Sequence, residues 1–341
     1  MPEFRKDPLT GSWVIIAPER AQRPIDANHR TARVEEFAEW SEECPFCSGN
    51  ELMTPPEVLA YRSPGTGSNQ RGWTLRVVRN KYPALSPDLE LNTVTGNDLH
   101  RSMVGFGYHE VIIETPSHSR DFSFMALDEI EDVLWAWRDR LLSIRADKRI
   151  KYALVFKNYG HRAGASLVHP HSQIIATPMV PKRIEEEVQN MRNYYGEKGA
   201  CLLCAMLNTE KSEKKRIVEQ NQSFTAYCPY ASMSAYQIMI VPNWHSSEFI
   251  ELNPVQIKDL SKILWSVFRR LHSAVGGLVP YNLWLHNSPW WQEYDTSFFH
   301  WHIDLVPRLS ELAGFELGSG LFINHTLPEE AAKTLASINI E

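Results

Sequence analysis

Two stretches of this chain repeat one layout, and the repeat limits what the chain can fold into. Residues 107–122 read GYHEVIIETPSHSRDF and residues 235–249 read AYQIMIVPNWHSSEF. Each is an apolar run, then a proline-containing turn, a His-Ser pair and an acidic–aromatic pair. A helical pattern follows in both halves. Ile130, Val133, Leu134, Trp137, Leu141 and Leu142 recur at the spacing of one helix face, and Leu260, Ile263, Leu264, Val267, Phe268 and Leu271 repeat it. A further apolar run ends at Asn158 in one half and Asn287 in the other, and each half then closes on a His-x-His strand. Upstream, NKYPALS (80–86) matches AYCPYAS (226–232). The layout implies duplication with divergence. Each half is expected to be a mainly antiparallel sheet carrying one long helix, an α+β arrangement, with the halves spanning 1–177 and 178–341. The join is a charged, helical stretch over 178–200 that contains Glu185, Glu186 and Glu187. Residues 63–72 read as a mobile loop, Gly314 to Gly320 as a glycine-rich turn, and a short helix is expected near Pro328.

With 341 residues the chain can bury two cores, and 43% hydrophobic with 22% charged residues describes a soluble globular protein. A net charge of −6 argues against a general nucleic-acid binder, which needs a basic face, but leaves a small nucleotide open. No basic start leads into an apolar segment, and no apolar run reaches the roughly 18–20 residues of a membrane span. A cytoplasmic protein is expected. The five cysteines fall as Cys44 with Cys47, Cys201 with Cys204, and Cys228 alone. That usage points to metal ligation in a reducing compartment rather than disulfides.

A CxxC turn supplies two thiolates at the separation a tetrahedral zinc ion wants. Cys44 and Cys47 with His118 and His169 make one set, and Cys201 and Cys204 with His245 and His300 make the other. Each pair alone could be two buried cysteines or a redox motif; the duplicated order is what favours zinc. His286, His302 and Glu187 are spare candidates near the second set. Four protein ligands leave no open position, so both sites are expected to be structural.

The run His169-Pro170-His171-Ser172-Gln173 carries the chemistry. Histidines at i and i+2 of a strand share a face, so one imidazole can hold a metal while its neighbour meets a substrate. His171 is left over by the first tetrahedron. A neutral imidazole attacks phosphorus well and yields a labile phosphoramidate. Gln173 can donate to phosphoryl oxygens. The small residues of Gly160 to Ser166 let backbone N–H groups approach phosphates, and Asn158 adds a donor. No such approach precedes His300-Trp301-His302, so one active copy per chain is expected.

These motifs resemble the galactose-1-phosphate uridylyltransferase family of the histidine-triad superfamily, over nearly the whole chain. The resemblance implies two tandem histidine-triad-like halves. It implies that His171 becomes nucleotidylated, aided by Gln173, and that Ser166 and Asn158 contact phosphate. Arg20 and Arg23 are similar to its phosphate-binding arginines, Asn80 to its nucleoside-pocket asparagine, and Glu316 to its hexose-contacting glutamate. Asn324 stands where a loop glutamine is usual. Lys81, Ser310 and the second CxxC pair depart from the uridylyltransferase pattern and look more like the ADP-glucose phosphorylase branch.

The implied activity is nucleotidyl transfer in galactose and nucleotide-sugar metabolism, with UDP-glucose and galactose 1-phosphate first and ADP-glucose with phosphate as the alternative. Zinc is the only cofactor implied, the partners are a nucleotide sugar with a sugar phosphate or phosphate, and a homodimer is usual. A histidine-triad nucleotide hydrolase would carry a third histidine where Gln173 stands. A zinc-stabilised binding module would not need the Gly160 to Ser166 approach.

Overall fold

Ten strands drawn from both halves of the chain form one sheet in the computed structural model, which describes residues 1–22, 38–92, 94–291 and 295–340. The chain opens with β1 (Glu3–Lys6) and β2 (Trp13–Ile16). Then come β3 (Glu57–Arg62), β4 (Trp73–Arg79), the short pair β5 (Thr95–Gly96) and β6 (Arg101–Ser102), β7 (Tyr108–Ile113), helix α1 (Leu127–Arg145), β8 (Tyr152–Tyr159) and β9 (His171–Thr177). Helix α2 (Lys182–Lys198) leads into the second half. That half contains α3 (Leu202–Glu213), β10 (Ile217–Gln220), β11 (Phe224–Tyr227), β12 (Ile238–Pro242), α4 (Pro254–Val275), β13 (Tyr281–His286) and β14 (His302–Pro307). It closes with α5 (Gly314–Ser319), β15 (Phe322–Asn324) and α6 (Pro328–Ala336).

The strand order is β10-β11-β12-β14-β13-β8-β9-β7-β4-β3. Read inward from either edge, the two halves have the same order, and they meet where β13 pairs antiparallel with β8 from Tyr281↔Tyr159 to Leu285↔Val155. The two expected sheets are thus one continuous sheet. Strand β8 alternates buried and half-buried residues, as a strand between two differently covered faces should. Its Val155 and Lys157 face the helices, and Leu154, Phe156 and Asn158 face the other side.

Helices α1 and α4 cover one face. Helix α1 buries Ile130, Val133, Leu134, Trp137 and Leu141 as its periodicity requires. Leu142 differs: it is 40% exposed, because it lies past the edge of the buried stripe. Helix α4 begins with an Asn253/Gln256 capping box and Pro254 in its first turn, and it buries all six residues of the repeated pattern. Phe268 of α4 packs on Phe122 and Tyr281 at ring distances of 5.2 and 4.9 Å, joining the two halves.

One sequence expectation changes and two gain detail. The glycine-rich turn is the short helix α5. The stretch 63–72 is the β3–β4 connection, and its Asn69 accepts hydrogen bonds from Glu57 N–H and the buried Arg76. The N-terminal pair β1–β2 crosses the expected boundary between the halves: β2 pairs in parallel with β15, and Arg5 bridges to Glu329 of α6 at 2.9 Å. No described helix is long and apolar enough to cross a membrane.

Candidate active site

The Cys44–Cys47 turn, held by Cys47 N–H donating to the Cys44 carbonyl, lies in the loop before β3. His118 comes from the turn after β7 and His169 from the residue pair leading into β9. The four donor atoms lie within 4.8 Å of one another. His169 Nδ1 sits 3.7 Å from Cys44 Sγ and 3.6 Å from Cys47 Sγ, and His118 Nδ1 sits 3.3 Å from Cys47 Sγ. An ion bound tetrahedrally at about 2.3 Å from sulfur and about 2.0 Å from nitrogen has S···N edges of about 3.5 Å, which these three separations match. The far nitrogen of His169 is 2.8 Å from the Thr115 carbonyl and donates to it, which leaves Nδ1 as the ligand atom. Burial holds the His169 pKa down near about 3, so it is neutral as a ligand must be. Burial also pushes the Cys44 thiol up to about 11; a bound cation would reverse that and keep a thiolate.

His171 opens β9 and pairs across the sheet with Ile113 of β7. Its neighbour Ser172 points to the helix face, where Trp137 Nε1–H donates to its hydroxyl at 2.8 Å. His171 is not part of the metal cluster. Its Nδ1 lies 2.8 Å from the carbonyl of His169, which can only accept, so Nδ1 carries the proton and Nε2 the lone pair. Burial, with help from the Lys157 ammonium, lowers its pKa to about 4 against the opposing pull of that hydrogen bond. The ring is therefore neutral near pH 7. Phe46, inside the cysteine turn, packs edge-on against both His169 and His171, at 6.0 and 5.2 Å. The turn that would hold a metal also fixes the free imidazole.

Gln173 lies two residues along the same face, and its Oε1 is 2.8 Å from Nε2 of His109 on β7. Asn80 joins the group, with its backbone N–H on the His109 carbonyl at 2.9 Å and its side-chain nitrogen 3.1 Å from His109 Nε2. A cleft of about 80 Å³ beside them is lined by residues that include Asn80, Leu85, Tyr108 and His109. Asn158 stands on β8, and its Oδ1 accepts from Asn282 of β13 at 2.7 Å. Asn282 also bonds the Ala163 carbonyl at 2.8 Å, tying the second half to the small-residue loop. That loop turns at Gly160, whose φ of 79° would place a β-carbon against Pro280. A larger cleft of about 530 Å³ on this face is lined by Phe156, Asn158, Ala163, Asn282, Trp284 and Arg308, among others.

Other expected site residues are not gathered here. Ser166 is exposed on the loop. Arg20 is exposed on a short 3-10 turn, and Arg23 lies outside the described residues. Glu316 is half-buried on α5 and caps its own helix by accepting from the Ala313 N–H. Asn324 departs most from expectation. It is 1% exposed, and its amide nitrogen donates to the Ser232 and Ser234 carbonyls while its oxygen accepts from Thr326, so it braces β15 within this chain. His109, Asn282 and Arg308 had no role from the sequence. Only the strand register, which links β7 to β9 and β13 to β8, brings them to the site.

The second copy also gathers its ligands. Cys201 Sγ lies 3.7 Å from His300 Nδ1, and Cys204 Sγ lies 3.3 Å from His300 Nδ1 and 3.6 Å from His245 Nδ1. This cluster is as tight as the first but more open to solvent: His245 is exposed and Cys204 half-buried. Ser297 braces the far nitrogen of His245 through its carbonyl, and the far nitrogen of His300 is buried without a partner among the described residues. Glu187, His286 and His302 form a separate buried group, with His286 Nδ1 2.7 Å from the Glu187 carboxylate. Cys228 is a core residue whose thiol burial pushes well up.

Comparison with known proteins supplies the family. The sequence model for the N-terminal domain of galactose-1-phosphate uridyl transferase matches residues 1–181, and that for the C-terminal domain matches residues 186–339. An ADP-glucose phosphorylase of Arabidopsis thaliana is 37% identical over 99% of this chain and 93% of its own length. A galactose-1-phosphate uridylyltransferase of Thermotoga maritima is 31% identical over 100% of both. Among solved structures, an ADP-glucose phosphorylase from Arabidopsis thaliana with bound ADP-glucose superimposes with a TM-score of 0.84 at 35% identity, covering 100% of each chain. A uridylyltransferase superimposes at 0.74 with 29% identity, over 99% of this chain and 98% of its own.

Proposed function

Because the chain belongs to the galactose-1-phosphate uridylyltransferase family of nucleotidyltransferases, we propose that it moves a nucleotidyl group by way of His171. The single observation behind this is the state of that imidazole: unligated, neutral, and tied through Nδ1 so that the lone pair sits on Nε2. Nε2 attacks the α-phosphorus of a nucleotide sugar. The bond from that phosphorus to the sugar-phosphate oxygen breaks, and sugar 1-phosphate leaves with the electron pair. The Nδ1–H stays on the His169 carbonyl, whose oxygen stabilises the positive charge of the nucleotidyl-imidazolium. An oxygen of a second phosphate-bearing substrate then attacks phosphorus, and the N–P bond breaks. Gln173 offers its amide N–H groups to the phosphoryl oxygens.

ADP-glucose and inorganic phosphate are the favoured pair. The sequence expectation put UDP-glucose and galactose 1-phosphate first, but the relative named ADP-glucose phosphorylase has the higher identity of the two, 37% against 31%. The uridylyl pair is the second reading, favoured by the full-length match to the Thermotoga maritima enzyme. Both Cys2His2 clusters hold zinc in a structural role, which suits their donor sets. The first half, 1–177, carries the first metal site and the nucleophile, and the second, 178–341, carries the second metal site and the sugar loop with Glu316. Asn80, Asn158 and Ser166 contact the nucleotide; Arg20, Arg23 and Glu316 contact phosphate or sugar in a cytoplasmic homodimer. Asn324 is left out, because its carboxamide is engaged internally.

The test mixes the protein with ADP-glucose and with UDP-glucose separately. The expected results are release of glucose 1-phosphate and a nucleotidyl adduct on His171, with phosphate needed for turnover. A His171→Gly variant that still acquires labelled nucleotide would overturn the reading.

A further inference from the structure

The carboxamide of Gln173 is useful at a phosphoryl group only if its NH2 end faces that group. An amide and its flipped form have the same shape, so something must choose between them. His109 is placed to do so. It sits on β7 diagonally across from Gln173 on β9, since its register partner is Ile175 while Gln173 pairs with Val111. Its Nδ1 lies 3.0 Å from the backbone nitrogen of Ala84. A backbone N–H always carries its proton, so Nδ1 must accept, and the neutral ring keeps its proton on Nε2. Nε2–H then donates to Gln173 Oε1 at 2.8 Å. Asn80 Nδ2, 3.1 Å from the same nitrogen, is a second donor and so only a neighbour, because Asn80 Oδ1 is already fixed by the Tyr82 N–H at 2.8 Å. No described residue takes up the nitrogen end of Gln173.

We propose that His109 is a positioning residue for nucleotidyl transfer: it locks the oxygen of the Gln173 carboxamide inward and so turns the amide N–H groups toward the phosphoryl oxygens. The proposal rests on the reading of His171 and Gln173 given above. It adds that the tautomer of His109 is set by the 80–86 loop, the segment that also carries Asn80. The nucleoside-side loop and the phosphoryl-side amide are thereby connected through one ring.

A double-mutant cycle tests it. His109→Ala, His109→Gln, Gln173→Ala and the double alanine variant are compared for the single-turnover rate at which labelled ADP-glucose or UDP-glucose, whichever labels the wild type, modifies His171. His109→Ala should slow that step roughly ten- to a hundredfold, less than outright loss of a donor aimed at developing charge, with KM little changed. His109→Gln retains an N–H donor and should recover much of the rate. In the Gln173→Ala background, His109→Ala should have no further effect on the rate. Imidazole nitrogen NMR of the wild-type protein should show the Nε2–H tautomer for His109, a readout that does not depend on any variant folding. An additive double variant, or an Nδ1–H tautomer, overturns the proposal while leaving the role of His171 intact. Failure of the wild type to take label, or a Gln173→Ala variant with unchanged rate, overturns the reading beneath it and this inference with it.

Discussion

The two His-x-His copies occupy the same position in their halves, yet only one keeps its second imidazole available. In both, that ring faces the carbonyl two residues back, at 2.8 Å for His171 and 3.4 Å for His302. His171 is followed by Gln173 and stands 7% exposed, with the Phe46 ring 5.2 Å away. His302 is followed by Asp304, whose carboxylate is 3.7 Å from Nε2, and the ring is 1% exposed against His286 at 4.8 Å. Helix α2 supplies Glu187 above that pair. Identical residues at equivalent registers thus differ in chemistry because of what covers the sheet. An imidazole enclosed by titratable neighbours is consumed in satisfying them, and one packed on the Phe46 ring keeps its lone pair.

The largest test of this contrast replaces the two rings in turn. His171→Gly should lower nucleotidyl transfer by about 10⁴-fold or more with metal content unchanged. His302→Ala should leave turnover per folded molecule within about threefold while costing about 1–3 kcal/mol of stability, read from thermal unfolding. If the second variant were as inactive as the first, the contrast would be wrong. Next in size are the cysteines. Cys47→Ser should remove one metal ion per chain and slow transfer by about 10–100-fold, because Phe46 would no longer hold the His171 ring. Cys201→Ser should also remove one ion, yet with turnover within about threefold. Elemental analysis beside steady-state rates separates these outcomes.

A smaller effect concerns the order of metal release. A chelator should empty the second cluster first, since Cys204 and His245 are more open to solvent there than Cys47 and His118 are in the first. A release curve for Cys201→Ser that kept the fast phase would contradict this. The smallest expected change is for Glu187→Gln. It weakens the buried pair with His286 and should cost about 1–2 kcal/mol by thermal melting, with unchanged transfer rates.

What could be read from the sequence was whatever depends on spacing along one segment. The CxxC pairs, the two His-x-His strands and the helix faces of α1 and α4 repeat at fixed offsets, and the structure assembles them. Leu142 shows the limit of periodicity: the period was right, but the width of the buried stripe depends on what packs against it. Contacts made by sheet register had no local signal. His109 sits in a stretch the repeat brought to notice, yet its link to Gln173 needs β7 beside β9. The pairing of β2 with β15 joins segments about three hundred residues apart. Asn324 was read by analogy of position, and its burial between β2 and the Ser232 and Ser234 carbonyls gives it other work.

The seam between β8 and β13 has a consequence for anyone who would divide this molecule. A fragment ending at residue 177 would expose the whole hydrogen-bonding edge of β8, an invitation to any other strand. It would also remove Tyr281, whose hydroxyl donates to Asp121 at 2.8 Å beside the buried Lys157 ammonium. Such a fragment should self-associate on a sizing column rather than run as a monomer. Within one polypeptide, each half closes the exposed edge of the other.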